Sequence, residues 1–476
     1  MKRMSIFILV FVLAHAALWA EEGWISLFDG KSLNGWKAAE HPKSWKIENG
    51  ALVTSGPRSH LFYVGPVNGA RFKNFEFYAE VMTTPNSNSG IYIHTAWQAK
   101  GWPSKGYECQ IINSTPAPEP GKYVERKMTG SIYAVRNVWK SPAQDNEWFS
   151  YRIVVQGKTI RTYINDDLIA EYTESVDPWR PKGMEGRRLS AGTFALQCHD
   201  PDSRVYFRNL RVKPLPDDLP TPGKALEDRA LDSLLTDLAA RNFPLMDLHV
   251  HLKGSLTLDE ALARARFFGF TYGIAVNCGV KMGIENEEQL TRFLAEYKKP
   301  SATFLAMQAE GREWLELFSE SSIAEFDYVF TDAMTWTDDR GRRMRLWIPE
   351  ETFIDDPQHF MDQLVDRIVS ILANEPIDIY VNPTYLPDAL MPQYDQLWTP
   401  ERMDRVIQAL VENQVALEIN DRYRIPSATF IKRAKAAGVK FTFGTNNGGK
   451  DDLGRLAYCL QMIRECDLKP EDMWMP

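Results

Sequence analysis

The sequence predicts an all-β sandwich or jelly roll followed by an α/β barrel of (β/α)7 type. Three observations predict it. Residues 24–215 hold short runs that alternate apolar and polar positions, broken by Gly, Asn, Asp and Pro clusters, with no helical period. From residue 245 onward, apolar runs of five to eight residues alternate with stretches of helical period, in about seven strand–helix units. Between the two lies a proline-rich acidic segment, residues 214–223, read as a semi-rigid connection. A length of 476 residues exceeds what one hydrophobic core organises, which agrees with two domains. The boundaries expected are 1–20 for a leader, 21–215 for the sandwich, 216–240 for the linker and 241–476 for the barrel.

The leader reading rests on Lys2 and Arg3 before an apolar run at 6–13, then small residues ahead of Glu21 and Glu22. This is the pattern of a secretory signal, with cleavage after Ala16 or Ala20, and it predicts a secreted or periplasmic protein. No second long apolar segment follows, so no membrane span is expected. The formal charge of −8, without any Lys/Arg stripe, argues against a nucleic-acid partner. Five cysteines leave at least one unpaired. Cys459 and Cys466 stand seven apart on a predicted helix, roughly 10 Å along its axis, too far to bridge. Cys109 and Cys198 can pair only if their strands are neighbours, so buried free thiols are the default expectation.

In the sandwich, strand periodicity puts Glu108 and Gln110 on one face and Cys109 on the other; Gln197 and His199 likewise oppose Cys198. The simplest arrangement sets both polar pairs on a concave face and both cysteines between the sheets. A carboxylate, an imidazole and two amides on one face suit a sugar pocket, because amides bind hydroxyls while Glu and His move protons. The bland alternative is the polar outer face of a half-solvated sheet.

Several phrases, in order, carry a family resemblance. They are residues 26–36 (Ser-Leu-Phe-Asp-Gly-Lys-Ser-Leu-Asn-Gly-Trp), 88–91 (Asn-Ser-Gly-Ile), 106–111 (Gly-Tyr-Glu-Cys-Gln-Ile), 129–133 (Thr-Gly-Ser-Ile-Tyr), 196–199 (Leu-Gln-Cys-His) and 205–210 (Val-Tyr-Phe-Arg-Asn-Leu). Together they resemble the 3-keto-disaccharide hydrolase family, a concanavalin-like sandwich once catalogued as a domain of unknown function. The resemblance implies cleavage of glycosides already oxidised at C3, with a small carbohydrate as substrate and a separate sugar 3-dehydrogenase supplying the ketone. A C3 ketone acidifies the C2 proton, so a base can form an enolate that expels the C1 aglycone, and water then adds to the enone. Glu108 and His199 are the acid/base candidates this implies, with Tyr133 beside them. Gln110, Gln197 and Arg208 are candidates to position substrate. His94 stands where the family is expected to carry an arginine, and is a further substrate-binding candidate.

The barrel opens with Met246-Asp247-Leu248-His249-Val250-His251, whose two histidines share a strand face as a metal motif would place them. It resembles the first motif of the polymerase-and-histidinol-phosphatase (PHP) family of metal-dependent phosphoesterases, as do residues 417–420 and 437–446. The departures are Asn277-Cys278, Asn382-Pro383 and Asn446-Asn447 where that family places charged or imidazole ligands. With His249, His251 and His359 as the barrel's histidines, at most one divalent ion is expected, on His249, His251 and Glu310 or Glu418. A pseudoenzyme or ligand-binding barrel, a one-metal hydrolase and a purely structural polar ring are the three readings. For the whole chain, the alternatives to a 3-keto-glycosidase are a carbohydrate-binding sandwich serving a one-metal barrel, and a non-catalytic glycan-binding protein.

Overall fold

The computed structural model describes residues 23–117 and 122–476. The expected leader lies outside them. The N-terminal half is two antiparallel sheets packed face to face. One has eight strands, and across its centre run Phe149–Gln156, Asn74–Thr83 and Val205–Leu215. The other has five, in the order Trp36–Glu40, Ser59–Tyr63, Thr193–Cys198, Ser89–Thr95, Tyr107–Ile111. Alternation explains the layers: Tyr151, Ile153 and Val155 point into the shared core with Phe77, Phe194 and Leu196, while residues between them face out. Cys109 and Cys198 point inward, as period 2 requires. The strand Ser89–Thr95 separates theirs, and all five cysteines are free thiols.

The C-terminal half has seven parallel strands: Met246–Val250, Thr271–Cys278, Phe304–Ala309, Tyr328–Thr331, Ile379–Tyr380, Ala416–Asn420 and Phe441–Gly444, paired in that order. The sheet curls until its ends meet, where the Asn446 amide donates to the His249 carbonyl at 2.8 Å. Helices follow each strand. Leu258–Phe268 shows why they form, with a Thr257/Glu260 capping box at its start and Gly269 in the left-handed region (φ 79°) at its end. Among the described residues, no helix is long and apolar enough to cross a membrane.

Residues 216–240 are not a bare tether. Their first part is pinned to the sandwich, where Asn74 and Gln156 donate to the carbonyls of Pro216 and Pro220. Their last part is the helix Arg229–Ala240, whose Leu235 and Leu238 are buried in the barrel core. The sequence pattern missed this because the helix lies in the segment assigned to the linker.

The two halves are also locked directly. Leu248, Ala306, Phe330, Ile379 and Ala416, from five different strands, form an apolar cluster that includes Trp139 of the sandwich, 2% exposed. Beside it, Arg136 pairs with Asp232 at 3.2 Å, Asn137 donates to the Ala239 carbonyl and Lys140 pairs with Asp327. The segment holding these residues joins the strands Tyr107–Ile111 and Phe149–Gln156, so one loop of the sandwich packs into the barrel.

Candidate functional site

The outward face of the five-stranded sheet carries the predicted polar pairs. Glu108 is 5% exposed and accepts hydrogen bonds on both oxygens, from Gln197 Nε2 at 2.8 Å and Arg187 Nη2 at 3.2 Å. Gln197 Nε2 also reaches the Tyr92 hydroxyl at 3.1 Å, and the Arg187 guanidinium lies over the Tyr92 ring. Gly90 makes this possible: a Cβ there would sit 2.9 Å from Glu108 Oε1, so the glycine of the Asn-Ser-Gly-Ile phrase gives the carboxylate its room. Gln110 donates weakly to Asn88, at 3.4 Å. Four polar side chains here hold buried atoms with no hydrogen-bond partner among the described residues: Gln110 Oε1, Gln197 Oε1, Arg187 Nη1 and both ring nitrogens of His60. Buried polar atoms are ordinarily paired, so this concentration marks a surface built to meet polar groups from outside.

His60, fully buried on the neighbouring strand Ser59–Tyr63, was not singled out from sequence, and neither was Arg187. Period 2 along Ser59–Tyr63 could have put His60 on the same face as Phe62; Arg187 lies in an irregular loop with no such signal. Burial, reinforced by Arg58, pulls the His60 imidazole down to about 3, so it is neutral at pH 7. Trp102 stands between the two histidines, edge-on with His60 at 5.4 Å and tilted against His199 at 5.2 Å between ring centroids. His199 is at the open end of the face, with Nδ1 against Asp200 at 2.6 Å.

Tyr133 stands on the Glu108 face, since its neighbour Ile132 bridges Cys109 and points into the core; its amide donates to the Glu108 carbonyl, while its hydroxyl donates to Glu125. Two predicted residues stand elsewhere. His94 does not share the face of Glu108. Its backbone is left-handed (φ 53°) beside a bulge opposite Thr193 and Ala195, which breaks the period and turns the ring against Phe75. Both nitrogens are occupied there, by the Lys73 carbonyl and the Ser190 amide. Arg208 lies on the eight-stranded sheet, paired with Glu80 and covering Trp148. It cannot reach the Glu108 face, because the two sheets' cores lie between.

The barrel's predicted residues do converge at the strand C-termini, around a cavity of about 590 Å³. Glu418 Oε1 accepts from His249 Nδ1 at 2.6 Å, and Oε2 accepts from the Asn382 amide and Asn420 Nδ2. Gly444 permits the first contact, since a Cβ there would collide with Glu418 Oε1. Asn382, left-handed at φ 47°, is the centre of the network. Its Nδ2 donates to Asp332 at 2.7 Å and its Oδ1 accepts from Asn420 and Asn446. Asn277 and Gln308 both donate to Glu310 Oε1. Burial, then the neighbouring Asp332 carboxylate, holds Glu310 well above the ordinary carboxylate range.

Glu418 therefore orients His249, whose Nε2 has no hydrogen-bond partner among the described residues. Among the described residues no group of three His, Cys, Asp or Glu side chains is arranged to hold a metal. The set His249, His251, Glu310 and Glu418 shares one barrel mouth without forming a coordination shell.

Residues 23–213 match the family model of the 3-keto-alpha-glucoside-1,2-lyase-like domain. A 3-keto-disaccharide hydrolase from Bacteroides thetaiotaomicron is 27% identical over 233 residues, 41% of this chain and 79% of that protein. A solved structure from Parabacteroides distasonis, assigned as a glycosyl hydrolase, aligns at 24% identity over 41% of this chain and 95% of its own, with a TM-score of 0.36. Histidinol phosphate phosphatase from Lactococcus lactis aligns at 14% identity over 47% of this chain and 94% of its own, with a TM-score of 0.34.

Proposed function

We propose that the sandwich cleaves glycosides oxidised to a ketone at C3, by elimination across C1 and C2 followed by hydration. The observation that carries this reading is the Glu108–Arg187–Gln197 cluster, buried on the face that the matched family phrases build and surrounded by unpartnered polar atoms. A base takes the C2 proton, and the C–H electron pair moves into an enolate on the C3 oxygen. That pair returns to expel the aglycone oxygen from C1, which leaves with a proton from an acid. Water then adds across the C1–C2 double bond.

Glu108 and His199 carry the proton transfers. Arg187 Nη1, an unpartnered cationic donor, steadies the enolate oxygen, and the free amide oxygens of Gln110 and Gln197 accept from sugar hydroxyls. Trp102 offers its apolar surface to the ring. Neutral His60 adds one hydrogen-bond donor and one acceptor beside it. Such a route needs no oxocarbenium ion and hence no pair of carboxylates flanking the bond, which accords with one carboxylate at the centre of this cluster. The ketone is supplied by a separate sugar 3-dehydrogenase, and the leader pattern supports a secreted or periplasmic setting.

Full-length protein incubated in D2O with a glycoside and with its 3-keto form tests the proposal. Release of aglycone from the keto form, with deuterium at C2 of the recovered sugar, is expected. Equal rates on the unoxidised glycoside, or cleavage without C2 exchange, would sink it.

A further inference from the structure

We propose that the barrel mouth is a second ligand site that takes a neutral, hydroxyl-rich molecule of monosaccharide size, held by amides and unpartnered acceptors rather than by metal ions.

The cavity of about 590 Å³ accommodates such a molecule. Three atoms on its lining residues are buried and have no hydrogen-bond partner among the described residues: Gln308 Oε1, Glu310 Oε2 and His251 Nε2. Their side chains belong to residues at most 5% exposed. Buried polar atoms are ordinarily paired, so the site is built for an occupant that pairs them.

The chemistry of that occupant follows from the atoms. Gln308 Oε1 is an acceptor whatever the ionisation of its neighbours, and Glu310 Oε1 already takes two amide donors. The floor therefore asks for donors. A phosphate monoester presents acceptor oxygens and fits it poorly. The lining sets Glu310 and Asp332 against Lys253 and Arg422, so it carries no formal excess of either sign and favours neither an ammonium nor a phosphate. A hydroxyl both donates and accepts, so it serves the amide oxygen, the carboxyl and either tautomer of His251. Trp347, Tyr423 and Phe293 line the same cavity and offer the apolar surface that a sugar's C–H face needs. Asn382 is fully engaged in holding Asp332, Asn420 and Asn446, so the wall is rigid before anything binds.

Isothermal titration calorimetry of the full-length protein tests this, in a Glu108→Gln background so that keto sugars are not consumed. The probes are glucose, galactose, myo-inositol, 3-keto-glucose, glucose 6-phosphate and zinc chloride. Saturable binding of at least one neutral probe is expected, with glucose 6-phosphate at least about tenfold weaker. Gln308→Leu, which removes one acceptor at similar volume, is expected to weaken that binding by about tenfold, the loss of one buried hydrogen bond. Asn277→Leu, at a half-buried position, is the companion variant should the first lower the melting temperature. No saturable binding by any neutral probe overturns the proposal. So does binding indifferent to both barrel substitutions, which puts the sugar in the sandwich. Tight stoichiometric zinc that His251→Ala abolishes would make the mouth a metal centre instead.

Discussion

The sandwich face and the barrel mouth use almost the same side chains to opposite ends. Each has a buried carboxylate beside an imidazole and several amides, and each leaves polar atoms unpaired. In the sandwich the central carboxylate, Glu108, is held by a guanidinium and an amide, and the nearby imidazoles His60 and His199 are not bonded to it. In the barrel the imidazole His249 is itself tied to a carboxylate, and asparagines hold the rest together. The first arrangement keeps charge and proton carriers next to an open face, whereas the second ties one imidazole to Glu418 and ties its carboxylates Glu310 and Asp332 to amides. One suits proton transfer; the other suits recognition.

The sharpest way to break that contrast is Glu108→Gln. Turnover of a 3-keto-glycoside is expected to fall by roughly 10²–10⁴, the scale for a lost general acid or base, with the fold retained by circular dichroism and the melting temperature lowered because Arg187 loses its buried partner. Near-normal turnover would put proton transfer elsewhere, and the sandwich would become a binding face like the barrel.

Trp139→Ala tests whether the two regions are mechanically separate. The indole fills the apolar cluster shared by six barrel strands, so its removal is expected to destabilise the barrel by about 3–5 kcal/mol in urea unfolding. A change below about 1 kcal/mol would show that the barrel closes without the sandwich.

The His60 imidazole gives the contrast a pH signature. The folded protein resists its protonation down to about pH 3, while an unfolded histidine takes up a proton near 6.5. Its contribution to stability is therefore complete above about pH 6.5 and is lost as the pH falls toward 3. His60→Phe is expected to flatten the melting temperature across that window; an unchanged acid limb would assign the acid lability to other groups.

Arg208→Ala is expected to do least. Its half-exposed pair with Glu80 is worth at most about 1 kcal/mol, and turnover should stay within about twofold of the parent. A large loss of turnover would mean that the eight-stranded sheet takes part in catalysis after all.

Much of the sandwich was legible because period 2 is a property of the chain itself. Glu108 with Gln110, Gln197 with His199, and the inward Cys109 and Cys198 could be assigned to faces from spacing alone. His94 shows where that rule ends. It sits two residues beyond the outward-facing Tyr92, yet a bulge reverses it, and a bulge depends on the partner strand and on the close packing of Gly106 and Gly192 against its backbone. Arg208 failed for another reason: it obeys alternation, but on the other sheet, and strand alternation says nothing about which sheet a strand joins.

The sequence by itself determined the two halves, the seven strand–helix units and the inward thiols, because periodicity is local. Tertiary structure alone decided that Arg187, some eighty residues away along the chain, reaches Glu108, that Glu418 serves His249, and that Trp139 of one domain lies in the apolar cluster of the other. Those pairings depend on which distant segments come within a few ångströms, and only closure of the sheets sets that distance.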